Sequence, residues 1–119
     1  MQYLIDQFSD TIRAAAAHKI PLCIRGGGSK DFYGNRMGGQ EAGMLDPAAY
    51  AGIVDYEPTE LVVTACAGTR LADLETVLST HGQMLAFEPP HFGSAATLGG
   101  CVAVGLSGPR RASAGAVRD

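Results

Sequence analysis

A short apolar run, Leu22-Cys23-Ile24, leads directly into Arg25-Gly26-Gly27-Gly28-Ser29-Lys30. No other stretch constrains the fold as strongly. A strand that enters three consecutive glycines leaves backbone N–H groups free to converge on one point, and such a concavity binds anions without side-chain charge. Glycine is needed there because a Cβ would block the approach or forbid the backbone angles. Ser29 adds a hydroxyl. Arg25 and Lys30 flank the loop and raise the local positive potential. A plain glycine turn between two strands accounts for the same residues and stays open at this point.

Two familiar phosphate loops are excluded by spacing. A Walker A loop needs Gly-Lys followed by Ser or Thr, whereas the order here is Ser29-Lys30. In the dinucleotide fingerprint a third glycine would fall at position 31, which is Asp31, and no long helical pattern follows.

Sixteen of the 119 residues are glycine, about twice the usual share of roughly 7%. They gather at 26–28, 38–43, 93–108 and near the end, between segments with ordinary apolar patterning. Low complexity is therefore not the cause. The net charge of -3, without a long run of one sign, makes no case for nucleic acid or an anionic membrane as partner. Cys23, Cys66 and Cys101 match no zinc spacing and read as reduced, buried thiols. No secretory leader is visible, and no apolar run reaches the roughly 18 residues of a membrane span. The chain reads as soluble and cytoplasmic.

Along the chain, Ile5, Phe8, Ile12, Ala15 and Ala16 share one face of a helix predicted over 2–18, which Pro21 closes. Leu22–Ile24 is a short strand and 31–42 a loop. Met44–Asp46 is a brief strand ended by Pro47. Gly52–Tyr56 and Leu61–Cys66 form an antiparallel pair across the turn Pro58-Thr59-Glu60. A second helix over 69–81 has Thr69 as N-cap and Asp73 in its first turn. Its buried stripe is Leu71, Leu74, Val77 and Leu78, and Gly82 ends it. Gln83–Phe87 is read as a strand cut off by Pro89-Pro90. The Gly- and Ala-rich stretch after Phe92 holds a short helix with room for backbone to approach a ligand. Gly115–Asp119 reads as the start of a strand. His18 and His81 sit at helix ends, where histidine meets the last carbonyls. His91 follows two prolines and precedes the glycine-rich stretch. No pair of carboxylates stands out, and no catalytic residue is assigned.

The order of these pieces resembles the FAD-binding domains of the vanillyl-alcohol oxidase and p-cresol methylhydroxylase (PCMH) type. The residues that carry the resemblance are Pro21–Lys30, Leu61–Thr69 with the helix after it, and Gln83–Pro90. Ala96-Thr97-Leu98-Gly99-Gly100, Ser107-Gly108-Pro109-Arg110-Arg111 and Gly115–Asp119 complete it. Each piece is weak alone; together, in family order and spacing, they cover nearly the whole chain. Gly28–Gly34 and Ser107–Arg111 are most similar to the FAD-binding subunits of bacterial glycolate oxidases.

The resemblance implies an α+β fold: a small sheet with two packed helices, the N-terminal subdomain of a PCMH-type FAD-binding domain. Residues 1–119 would be a partial domain that continues further. The pyrophosphate of FAD would be wrapped by the amides of Arg25, Gly26, Gly27, Gly28, Ser29 and Lys30. Thr97, Gly99 and Gly100 would face the cofactor, Ser107 and Gly108 would lie near the isoalloxazine and ribityl, Val117 would sit against the flavin, and Pro90 would shape the wall. Some relatives tether FAD through a histidine in the glycine loop. No histidine lies between 19 and 80 here, so the expected FAD is non-covalent.

The implied activity is an FAD-dependent oxidoreductase subunit that oxidises a 2-hydroxy acid, glycolate above all. Substrate groups would come largely from a C-terminal cap. The implied assembly is a hetero-oligomer with a second flavoprotein subunit and an iron–sulfur subunit, any membrane association being made through those partners. The alternatives are another oxidoreductase of the family, acting on lactate, a sugar lactone or an aromatic alcohol, and a non-catalytic cofactor-binding or electron-transfer subunit.

Overall fold

The structure, a computed structural model, describes residues 1–28, 43–91 and 93–117. Helix α1 spans Gln2–Ala17. Strand β1 (Leu22–Ile24) pairs in parallel with β2 (Gly43–Leu45), Cys23 opposite Met44. Strand β3 (Ile53–Glu57) turns through a 3₁₀ segment, Pro58–Glu60, into β4 (Val62–Ala65), Tyr56 opposite Val63. Helix α2 is Leu71–Ser79, α3 is Leu98–Val104 and α4 is Arg111–Ala114. The α+β class stands. The strands form two separate pairs.

The core gathers on α2. Leu71 and Leu74 are fully buried and Leu78 nearly so. Their 3–4 spacing puts them on one helix face. Each fully buried leucine stabilises by about 1.5–3 kcal/mol. Leu71 meets Ala96 and Cys101, and Leu85, Phe87 and Leu98 close around them. Helix α1 has no buried residue. Of its apolar stripe, Phe8 is half-buried with its ring edge-on to Tyr50 at 6.3 Å, while Ile5 and Ile12 stay exposed.

Three readings of the sequence change. Gln83–Phe87 is not a strand. The Gln83 amide N–H closes α2 on the Leu78 carbonyl (3.0 Å), and Glu88 N–H turns back to Leu85 O (3.1 Å). The Gln83 side chain meanwhile accepts from Tyr56 O–H and donates to Pro58 O at 2.8 Å. With its backbone and side chain committed to turns, the segment has no ladder to join. Second, α2 starts at Leu71 with Arg70 as N-cap. The Thr69 hydroxyl is spent on Gly52, accepting from its N–H (3.0 Å) and donating to its carbonyl (3.1 Å). Third, Gly115–Val117 is not extended into a strand; Val117 lies in a turn after α4, and Arg118 and Asp119 fall outside the described residues.

The burial pattern separates two substitutions. We expect Leu74→Ala to lower the unfolding free energy by about 2–5 kcal/mol. Ile12→Ala, on the open face of α1, should change it by no more than roughly 0.5 kcal/mol. Urea denaturation of both variants checks this.

Candidate functional site

The glycine loop rests against the segment before α3. A Cβ on Gly26 would lie 2.6 Å from Thr97 Oγ1, and one on Gly27 would overlap the Ala95 carbonyl. Gly28 has φ 69, and the Arg25 guanidinium fills the place its Cβ would take. The close approach inferred from the glycines is therefore partly the chain's own: the loop needs bare backbone to meet residues 95–97 at all.

Among the described residues, the N–H groups of Gly26, Gly27 and Gly28 donate to no protein acceptor. Three successive amides without intrachain partners are the donor set that an anion requires. The amides further along are spent. Leu98 N–H reaches Thr69 O (2.8 Å), Gly99 N–H reaches Ala67 O (2.8 Å), and Cys101 N–H reaches Thr97 O (3.0 Å). Gly100 N–H is capped by Thr97 Oγ1 at 3.1 Å. The Thr97 hydroxyl keeps its own proton to donate, and Thr97 is buried. Gly99 and Gly100 thus offer close-packed Cα surface, and Gly26–Gly28 offer the free donors.

Gly27, Ala95 and Thr97 open onto a cleft of about 580 Å³. Its far walls are small or apolar, with Ala48, Ala51, Ile53 and Val77 prominent. Arg70 and Asp73 stand in the same lining and pair with each other at 3.4 Å. A volume of this size with apolar walls and a few polar groups is typical of a ligand site. The sequence reading missed Arg70 and Asp73, because a charged pair three residues apart on a helix is ordinarily a solvated surface pair.

The cleft floor is built by residues 66–71. Cys66 N–H donates to Gly52 O (2.9 Å) and Gly68 N–H to Tyr50 O (2.8 Å) on one side; Leu71 N–H donates to Ala96 O (2.9 Å) on the other. A Cβ on Gly68 would strike the carbonyl oxygens of Pro47, Ala48 and Tyr50. The Cys66 thiol is hydrogen-bonded to the Tyr50 phenol and holds it above its ordinary pKa.

A second group of expected residues gathers elsewhere. Gly108 N–H donates to Phe87 O at 3.0 Å, which seats Ser107 and Gly108 against the segment that carries half-buried Pro90. Ser29 and Lys30 lie outside the described residues. Val117 is half-buried in its turn. His18 Nδ1 meets Ala14 O at 2.8 Å, as a helix-end histidine does. His81 instead meets the Thr80 hydroxyl at 3.0 Å and sets its ring edge-on to Tyr56. His91 Nε2 pairs with Glu75 Oε1 at 3.0 Å. No group of three or more His, Cys, Asp or Glu that could hold a metal is found among the described residues. No helix among them is long and apolar enough to cross a membrane.

Comparison with known proteins adds the following. A family model described as "FAD binding domain" matches residues 5–119. The chain is 49% identical, over 118 residues, to "Glycolate oxidase subunit GlcE" of Escherichia coli (strain K12), a match covering 99% of this chain and 32% of the relative. The chain thus spans about a third of the length of the curated relative it matches. No solved structure matches.

The Thr69 contacts admit a clean test. Thr69→Val removes both hydrogen bonds and leaves the Gly52 N–H and C=O without that partner, and it should destabilise by about 1–3 kcal/mol. Thr69→Ser keeps the hydroxyl and should recover most of that loss. Denaturant midpoints at equal slope are the measurement.

Proposed function

The chain belongs to the FAD-binding domain family, and from that premise we propose that it is the pyrophosphate-holding part of a flavin-dependent 2-hydroxy-acid oxidoreductase subunit, with glycolate as substrate. The observation that carries the reading is the run of three open amides at Gly26–Gly28, with Gly26 packed on Thr97, Gly27 on Ala95, and Gly27 and Thr97 lining the cleft. Identity of 49% to a relative named as a glycolate oxidase subunit supports the substrate class.

In this reading Arg25, Gly26, Gly27, Gly28, Ser29 and Lys30 hold the pyrophosphate by backbone N–H groups and flanking charge. Thr97 adds its hydroxyl proton from the facing segment. Gly99 and Gly100 let α3 pack close to the loop, so that Thr97 is presented at the right depth. Pro90, Ser107, Gly108 and Val117 form the wall beside the ring system. FAD held there would supply the redox chemistry, acceptance of a hydride equivalent from a 2-hydroxy acid. The protein's share is position, exclusion of water and local potential. The chain would be a partial PCMH-type domain of one subunit, joined in a hetero-oligomer by a second flavoprotein and an iron–sulfur subunit that carry electrons onward.

Attachment of FAD is non-covalent in this proposal, since His18, His81 and His91 are the histidines of the sequence and none lies in the glycine loop. Acid precipitation of the FAD-loaded full-length protein should leave the yellow colour in the supernatant; colour retained in the pellet means a covalent link and overturns this point. Gly27→Ala should weaken FAD binding by at least about tenfold, because a Cβ that overlaps Ala95 O must push the loop off residues 95–97. Flavin fluorescence titration reads that change. Glycolate-dependent dye reduction by the assembled complex, compared with lactate, tests the substrate. A complex that reduces dye with lactate but not glycolate refutes the glycolate assignment and leaves the flavin site intact.

A further inference from the structure

Glu88 stands in the left-handed region at φ 53, as do Lys19 and Leu61 among the described non-glycine residues. The other two close helical segments, Lys19 just past the C-cap His18 of α1 and Leu61 as the C-cap of the 3₁₀ turn, where a left-handed residue is a usual ending. Glu88 follows no helix. It precedes Pro89, and a residue before proline is ordinarily held in extended conformation. A side chain other than glycine in that backbone state is strained, and such strain persists only where its surroundings hold it.

The surroundings are specific. Glu88 Oε1 accepts the backbone N–H of Arg110 at 2.7 Å, and the Arg110 Nε lies 4.0 Å from the same oxygen. The carbonyl of the preceding residue, Phe87, accepts the Gly108 N–H at 3.0 Å. Gly108 fits only because it has no Cβ; one would lie 2.7 Å from Glu88 Cβ. Arg110 Nη1 also reaches Met84 Sδ at 3.9 Å. Segment 84–88 and segment 108–110 are thus latched by two backbone amides, and the strained residue supplies the carboxylate of the latch. A charge-assisted bond from a carboxylate to a backbone N–H is stronger than a neutral one.

We propose that Glu88 is a positioning residue for the flavin: its carboxylate and its left-handed backbone fix Ser107 and Pro109 relative to Pro90, setting the wall that the cofactor meets. It acts through the 107–110 backbone and does not itself touch the cofactor. This inference rests on the FAD reading above.

The test uses the FAD-loaded full-length protein with Glu88→Ala, Glu88→Gly and Glu88→Gln. Glu88→Gln keeps a side-chain oxygen that can accept from Arg110 N–H. Glu88→Gly removes the carboxylate and also the strain, so it reports even where the alanine variant does not fold. Three properties are read: amide hydrogen exchange at Gly108 and Arg110, the visible absorption of bound FAD, and its midpoint potential. Glu88→Ala and Glu88→Gly should speed exchange at those amides by at least about tenfold and shift both the absorption band and the potential. Glu88→Gln should return all three toward wild type. Faster exchange with an unmoved spectrum and potential makes Glu88 a mere fold tie and overturns the proposal, as does unchanged exchange or a glutamine variant that behaves like alanine. Wild-type protein that holds no FAD overturns this proposal together with the functional reading. If the Glu88 variants overturn it while the wild type binds FAD, that reading stands.

Discussion

The hydrogen bonds that leave residues 66–71 on both sides decide how the rest of the molecule is arranged. On one side Cys66, Gly68 and Thr69 bind the backbone of Tyr50 and Gly52. On the other, Ala67, Thr69 and Leu71 bind Gly99, Leu98 and Ala96. A single bridge between Arg70 and Thr97 runs through the middle. This short segment does the work of a central strand without a ladder of its own. It depends on Gly68, where three carbonyl oxygens crowd the space a side chain would need. Because Leu71 opens α2 immediately afterwards, the same segment also places Leu71 and Leu74, both fully buried.

That arrangement divides the backbone donors into two sets. Near the centre, the amides at the start of α3 are all used inside the protein, so α3 is fixed in place by 67–69 and by the Thr97 hydroxyl. At the edge, the amides of Gly26–Gly28 are left over. A buried amide without a partner is costly, whereas an exposed one is solvated and can exchange water for an anion. Arg25 and Gly27 are exposed, Gly26 and Gly28 are half-buried, and Gly27 lines the cleft. Rigidity lies behind the site and open hydrogen-bonding capacity lies in front of it. A preorganised anion site needs that division.

The parts of this that were legible in the sequence are those set by local pattern. The hairpin across Pro58–Glu60, the Leu71/Leu74/Leu78 face and the glycine loop follow from periodicity and from residues whose backbone preferences are strong. What was not legible depended on contacts distant in sequence. Thr69 has the chemistry of an N-cap, yet Gly52, seventeen residues away, takes its hydroxyl. Gln83–Phe87 has strand-like apolar content, yet Tyr56 and Pro58 take the Gln83 side chain and the chain turns. The family resemblance gives Gly99 and Gly100 close backbone contact with the cofactor, but it carries no sign that their N–H groups are taken by Ala67 and Thr97. The latch at Glu88 had no signal at all, since a lone glutamate before two prolines looks like a solvated loop residue.

Burial is uneven in a way that would tie the proposed cofactor site to stability. The α2 half carries the closed core, while α1, β1 and β2 contribute no residue buried to the same degree. Ile24 is 73% exposed and Met44 57%. A two-stranded sheet is marginal without further cover. The glycine loop grows out of this weaker half, and Thr97 belongs to the stronger one. The line where they meet is the contact of Gly26 and Gly27 with Thr97 and Ala95. An anion held jointly by the loop amides and the Thr97 hydroxyl would span that line. By linkage, a ligand at a hundredfold excess over its dissociation constant adds about 2.7 kcal/mol to the state that binds it. That is a large increment for a half held by so little burial. On the proposed reading, capture of the cofactor and closure of the fold across 26–28 and 95–97 would be coupled through one free energy.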